Sequence, residues 1–137
     1  MATLGPDGNL ARQLALAGFG IFDETGATGT IFAGEEPPGP DSVVVVLPSA
    51  GGQLPQAVSE EWLLTVRVRD VDPEAANRRL RDITVYIQER GQGSFGSLRF
   101  ARIDAAGTPI PLSRDERARF RVEQLFTALL KKSFSFA

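Results

Sequence analysis

The chain has 137 residues, a formal net charge of −2, 42% hydrophobic and 23% charged residues, and neither cysteine nor histidine. Its size and composition suit one globular domain over residues 1–137, with a real core and little room for an elaborate active site. The two missing residue types remove disulfides, thiolate metal sites, the commonest neutral-pH general base and the commonest transition-metal ligand, which weighs against most hydrolases and metalloenzymes.

The N-terminus MATLGPDGNL lacks the basic region and apolar core of a signal peptide, and no run approaches the about 20 apolar residues that span a bilayer. A cytoplasmic origin and no membrane partner are expected. Asp7 is placed to cap a short first helix with Leu10, Leu14 and Ala17 on one face, ended by Gly18. GFGIFDETGATGTIFAG reads as two short extended pieces joined by a turn over residues 25–29. Pro37, Pro38 and Pro40 then hold the chain extended ahead of the apolar run Val43 to Leu47. Four consecutive β-branched valines favour strand, and their unbroken apolarity says that both faces of the strand are covered. Pro48, Gly51 and Gly52 predict a turn and a loop to about Val58.

Leu64, Val66 and Val68 alternate with Thr65, Arg67 and Arg69, which describes a strand with one buried and one polar face. Asp72-Pro73-Glu74 is a strong helix start: a capping carboxylate, proline in the first turn and an early acid. Ala76, Leu80, Ile83 and Ile87 form the apolar stripe of a long helix that Gly91 closes. Leu98, Phe100 and Ile103 suggest a strand interrupted near Ala101, with a turn at Gly107-Thr108-Pro109. The last segment alternates through Arg117, Arg119, Arg121 and Glu123, which favours strand over the helical stripe Val122, Leu125, Phe126 and Leu129. The expected architecture is α+β: a mostly antiparallel sheet, one long helix packed across it and a short N-terminal helix.

Gly91-Gln92-Gly93-Ser94-Phe95-Gly96 matches GxGxxG, but these glycines follow a helix and precede a strand, so the helix N-terminus that would hold a pyrophosphate is missing. Residues 26–30 lack the lysine of a phosphate loop and read as a tight turn. Asp23-Glu24 and Glu35-Glu36 are adjacent acids whose side chains diverge in extended segments, so neither pair converges by itself. No catalytic, metal or cofactor residues are expected. Arg67 with Arg69, Arg78 with Arg79 and Arg81, and Arg117 with Arg119 and Arg121 form three short rows. They are either solvated faces paired with nearby acids, or a charged contact to another subunit or to passing DNA. Phe95, a bulky group on a glycine loop, docks either onto its own chain or onto a partner; its truncation is expected to weaken assembly more than folding.

The stretch from Ile31 to Gly52 also carries a resemblance. Ile31, Phe32, Gly34, Pro40, Asp41, the run Val43 to Leu47, Gly51 and Gly52 resemble the tail terminators, or minor capsid proteins of the head–tail neck, of long-tailed bacteriophages. The later strand, long helix and C-terminal hairpin follow the same order. The resemblance implies a ring, usually a hexamer, that caps the tail tube, stops its polymerisation and joins tail to head around the DNA channel. It implies a virion protein assembled in the host cytoplasm. Its partners would be copies of itself, the tail tube protein, a head connector or completion protein, and double-stranded DNA passing without sequence recognition. Arginines would then meet acids such as Glu35, Glu36, Glu60 and Glu61 on a neighbour, giving Glu35, Glu36, Glu60, Arg67, Arg69, Phe95, Arg117, Arg119 and Arg121 as interface candidates. The alternatives are a head-completion or connector protein, or a small ligand-binding or hydrolytic domain using Asp41, Asp70 and Asp72.

Overall fold

The computed structural model describes residues 5–25, 28–53, 59–90, 93–95 and 98–131, and their side chains except those of 49–53, 59–60, 93–95, 98–101 and 130–131. The elements run α1 (Pro6–Leu16), β1 (Ile31–Ala33), β2 (Val43–Gln53), β3 (Ser59–Asp70), α2 (Pro73–Arg90), β4 (Gly93–Phe95), β5 (Leu98–Leu112) and β6 (Phe120–Lys131). The strands form a six-stranded sheet in the order β1-β2-β3-β6-β5-β4. Only β1 and β2 pair in parallel; every other neighbouring pair is antiparallel. This is the α+β architecture expected, with α2 packed on β3, β5 and β6 and α1 on β1 and β2.

Local signals account for α2. Asp72 accepts a hydrogen bond from the Glu74 amide at 3.1 Å, which satisfies one of the otherwise orphaned first-turn donors. Ala76, Leu80, Ile83 and Ile87 are buried along its sheet-facing stripe. They meet Val44 and Val46 of β2, Leu64, Val66 and Val68 of β3, and Val122, Phe126 and Ala128 of β6 in one core. Leu10 and Leu14 of α1 join the same core, and Trp62 packs against it partly buried. Val43 to Val46 are all fully buried. Successive strand residues point to opposite faces, so Val43 and Val45 lie on the side away from the helices, in a second cluster with Phe32.

Four boundaries differ from the sequence expectation. The α1 N-cap is Gly5 with no side-chain bond, and Asp7 sits inside the first turn, because Pro6 can occupy the opening helical position and pulls the start forward. Ala17 is the exposed C-cap, and the helix ends in Gly18 at φ 94°, a left-handed conformation that suits glycine. The loop expected from Pro48 is strand as far as Gln53, because β2 absorbs its irregular residues as a register shift between Ser49 and Gly52 while still pairing with β3. The turn expected at Gly107-Thr108-Pro109 is a bulge inside one long β5, with a register shift between Ala106 and Ile110 and Gly107 at φ 77°. A second shift, between Phe100 and Arg102, falls where the interruption near Ala101 was expected. Of the two extended pieces around residues 25–29, only Ile31–Ala33 is a strand, and Phe22 makes an isolated parallel bridge to Ile31. Gly91 lies outside the described residues.

Candidate functional site

The register of β3 against β6 creates an electrostatic conflict. Arg67 lies opposite Glu123, a favourable pair, whereas Arg69 lies directly opposite Arg121. Like charges facing each other across a strand pair are destabilising. The chain resolves the conflict with Glu36, from the proline-rich segment 34–42 that follows β1. Its Oε2 accepts from Arg69 at 3.0 Å, its Oε1 accepts from Arg67 at 2.9 Å, and Arg121 lies 3.5 Å away. Arg67 also donates two hydrogen bonds to Glu123, at 3.0 and 2.7 Å. One carboxylate thus sits among three guanidiniums.

The same segment gives its backbone to the arginines. Arg69 donates to the Pro37 and Pro40 carbonyls, each at 2.6 Å, and is only 1% exposed. Arg119 donates to the Pro38 carbonyl at 2.8 Å and pairs with Asp41 at 3.3 Å and Asp115 at 2.9 Å. Proline lacks an N–H, so a run of prolines offers acceptors with few donors; the planar five-donor guanidinium is the matching partner. The segment is a strap drawn down over the outer sheet face. Val43 pairs with Arg69 and Val45 with Arg67 in register, so strap and arginine stems bury the two valines that no helix reaches. The Gly39–Pro40 peptide within the strap is cis.

The electrostatics follow this geometry. Burial pushes the Glu36 carboxyl up, but hydrogen bonds from Arg67 and Arg69 and the charges of Arg121 and Arg67 outweigh it, leaving the group below its ordinary value. Burial opposes the charged form of Arg67, and its bonds to Glu36 and Glu123 more than compensate. Backbone and side-chain bonds from Arg119, with the Arg117 amide, hold Asp115 below the usual carboxylate range.

Between strap and sheet lies a cavity of about 520 Å³ lined by all five of Arg67, Arg69, Arg117, Arg119 and Arg121. On the other side of the strap is a second hollow of about 480 Å³, where Asp7, Asp23, Glu24 and Glu35 line the wall. Glu36, Pro37 and Pro38 form the partition between them. In the second hollow Asp23 accepts bonds from the backbone and hydroxyls of Thr25 and Thr28, with Thr25 contributing most, and its carboxyl falls to about 2. One carboxylate thus ties Thr25 and Thr28 together, and Glu24 pairs with Arg12; residues 26 and 27 of the expected tight turn lie outside the described residues. Among the described residues no three acidic side chains come together as a metal site.

Arg67, Arg69, Arg119, Arg121 and Glu36 therefore come together within one chain. Arg117 stands at the rim, Glu35 is exposed on the far side of the strap, and the side chains of Glu60 and Phe95 lie outside the described residues. Arg119 and Arg117 precede β6, so only Arg121 belongs to the strand row that alternation implied. The sequence singles out Arg79 and Asp70 separately, but their convergence on Ser42 is not legible there. Ser42 donates to Asp70 at 2.9 Å and accepts from Arg79 at 3.0 Å, and Arg79 also donates to the Phe19 carbonyl, tying α2 to the end of the strap. Burial lowers the Arg79 pKa. Glu123 was legible as the acid that closes the alternating arginine row; Asp115 carried no such signal.

No family model and no curated protein matches the sequence. The fold is shared with a solved structure. One chain described as the virion of a native gene transfer agent particle superposes with a TM-score of 0.60, over 90% of this chain and 92% of that one, at 13% identity. At that identity the likeness is one of fold. It extends over nearly the whole of both chains.

Proposed function

We propose that this chain is a structural virion protein, not an enzyme, that caps the phage tail tube as a ring, stops tube polymerisation and joins tail to head. The observation that carries the reading is the fold shared, over nearly the full length of both chains, with a component of a phage-like virion particle. The resemblance in the stretch Ile31 to Gly52 points the same way and adds the tail-terminator position. A hexameric ring needs two different complementary patches on each subunit. The strap supplies a candidate pair, with exposed acids such as Glu35 on one side and the arginine cavity on the other. DNA would pass through the ring without sequence recognition, and the head connector would meet the opposite rim. The described site residues act as contact surfaces in this reading.

Native mass spectrometry across a concentration series, together with electron microscopy of purified tail tubes mixed with the protein, tests it. The expected result is a discrete ring of about six subunits, alone or on tube tips, with tube length frozen once it binds. A strict monomer that neither decorates tube ends nor limits their growth would overturn the reading.

A further inference from the structure

The five arginines of the cavity are not equivalent. Arg69 and Arg119 are buried at 1% and 4% exposure and spend their donors on strap carbonyls and acids. Arg67 is held by Glu36 and Glu123. Arg121 is looser: it reaches Glu36 only at 3.5 Å and donates to the Ser113 carbonyl at 3.1 and 3.3 Å. The Arg117 guanidinium is exposed at the cavity rim and makes no hydrogen bond or ion pair among the described residues.

The turn that presents Arg117 is firmly built. Asp115 accepts from the amides of Arg117 and Arg119 at 3.0 and 2.9 Å and from the Arg119 side chain. The Ala118 amide closes back on the Asp115 carbonyl at 2.9 Å, and Arg114 reaches the Ala118 carbonyl. Ala118 itself sits at φ 58°, a left-handed conformation that costs an L-residue free energy and persists where surrounding bonds over-determine it. An uncommitted guanidinium on a rigid, strained turn is preorganised for a ligand.

We propose that Arg117 and Arg121 form a socket for a carboxylate side chain of another protein chain. Two observations select this ligand over a nucleic-acid phosphate. The cavity already holds one protein carboxylate, Glu36, among planar guanidiniums that suit its two oxygens. Asp115 and Glu116 also line it, with Glu123 behind Arg67, and together they repel a polyanionic backbone while admitting a single charge. The occupant is an acidic residue on a neighbouring copy. The chain carries one suited to reach it, since Glu35 is an exposed carboxylate on the strap that makes no hydrogen bond or ion pair among the described residues. The inference rests on the reading that the chain works by docking to other virion subunits.

A terminally capped glycine–alanine hexapeptide carrying one central glutamate is the probe, measured by isothermal titration calorimetry on the full chain at low salt, with a twelve-base-pair DNA duplex in a parallel arm. The peptide should bind, and the pair Arg117→Ala with Arg121→Ala should weaken it about tenfold, because two charge-assisted contacts are lost. Arg117→Ala alone, which leaves every bond of the turn in place, should weaken it about threefold by the same argument, while Arg81→Ala on the far side of α2 should not. Absent peptide binding, equal binding by the double variant, or tighter binding of the duplex would overturn the socket. Native mass spectrometry separates the two readings. Rings without peptide binding remove the socket and leave the virion role, whereas peptide binding with neither rings nor tube capping upholds the socket and removes that role.

Discussion

Replacing Arg69 with methionine keeps much of the side-chain volume and removes the guanidinium that anchors the strap. Three strong contacts disappear: two carbonyls at 2.6 Å and the Glu36 carboxylate at 3.0 Å. A buried polar group left without its partner costs about 1–3 kcal/mol. Breaking one side of a buried charge network costs about 3–5 kcal/mol. The adjoining cavity lets water reach some of the abandoned acceptors, Glu36 keeps Arg67, and the Arg69–Arg121 repulsion is relieved, so the lower end applies. Arg69→Met should therefore destabilise the fold by about 3 kcal/mol, a fall in Tm of about 10 °C for a chain of this length. Trp62, partly buried on β3, provides a fluorescence signal for urea unfolding, and hydrogen exchange over residues 35–42 reports the strap directly. The reference is Arg121→Met, whose partners lie at 3.1 Å or more and whose loss should cost about 1 kcal/mol or less. If Arg69→Met costs no more than Arg121→Met, the strap is not anchored through Arg69 and the account of the clasp is wrong.

Two further outcomes follow from the same network. Glu36 binds its proton more weakly when folded than its ordinary 4.5; its contribution is therefore complete above that pH and drains as the pH falls below it. Exchange protection of the strap should hold from pH 7 to 5 and fall below 4.5, and Glu36→Gln should flatten that dependence; an unchanged slope in the variant would refute it. Ala118→Gly should raise stability by about 0.5–1 kcal/mol, because glycine adopts φ near 58° without penalty; a loss in urea midpoint would show that the turn is not strained.

The sequence made the locally determined elements legible. Asp72-Pro73-Glu74 started α2, its stripe Ala76, Leu80, Ile83 and Ile87 is the buried face, and the valine run is covered on both sides. Alternation identified β3 and β6. What escaped depends on a partner strand or a distant side chain. Gly107-Thr108-Pro109 punctuates the sequence as a turn, and only the continuing pairing of β5 with β6 makes it a bulge. The arginine rows were visible, but their partner was not, because Glu35 and Glu36 are adjacent and nothing local says which one turns inward. Register decides it: Arg69 faces Arg121 across the strands, and the acid that neutralises both is drawn in from the strap.

The strap's anchors also fix when it can form. Pro38 is held by a residue 81 positions later, Pro37 and Pro40 by one about 30 positions later. The Pro37 and Pro40 contacts need only β3, whereas the Pro38 contact cannot exist until Arg119, which follows α2, β4 and β5 in sequence, has reached the strap. Long-range pairings of this kind close late, after loop-closure entropy has been overcome. The proline segment emerges early during synthesis, yet its Pro38 anchor waits for Arg119, 81 positions later. An incompletely folded chain would leave Val43 and Val45 uncovered, and the partition between the acidic and arginine-lined hollows would appear only once the C-terminal hairpin is in place.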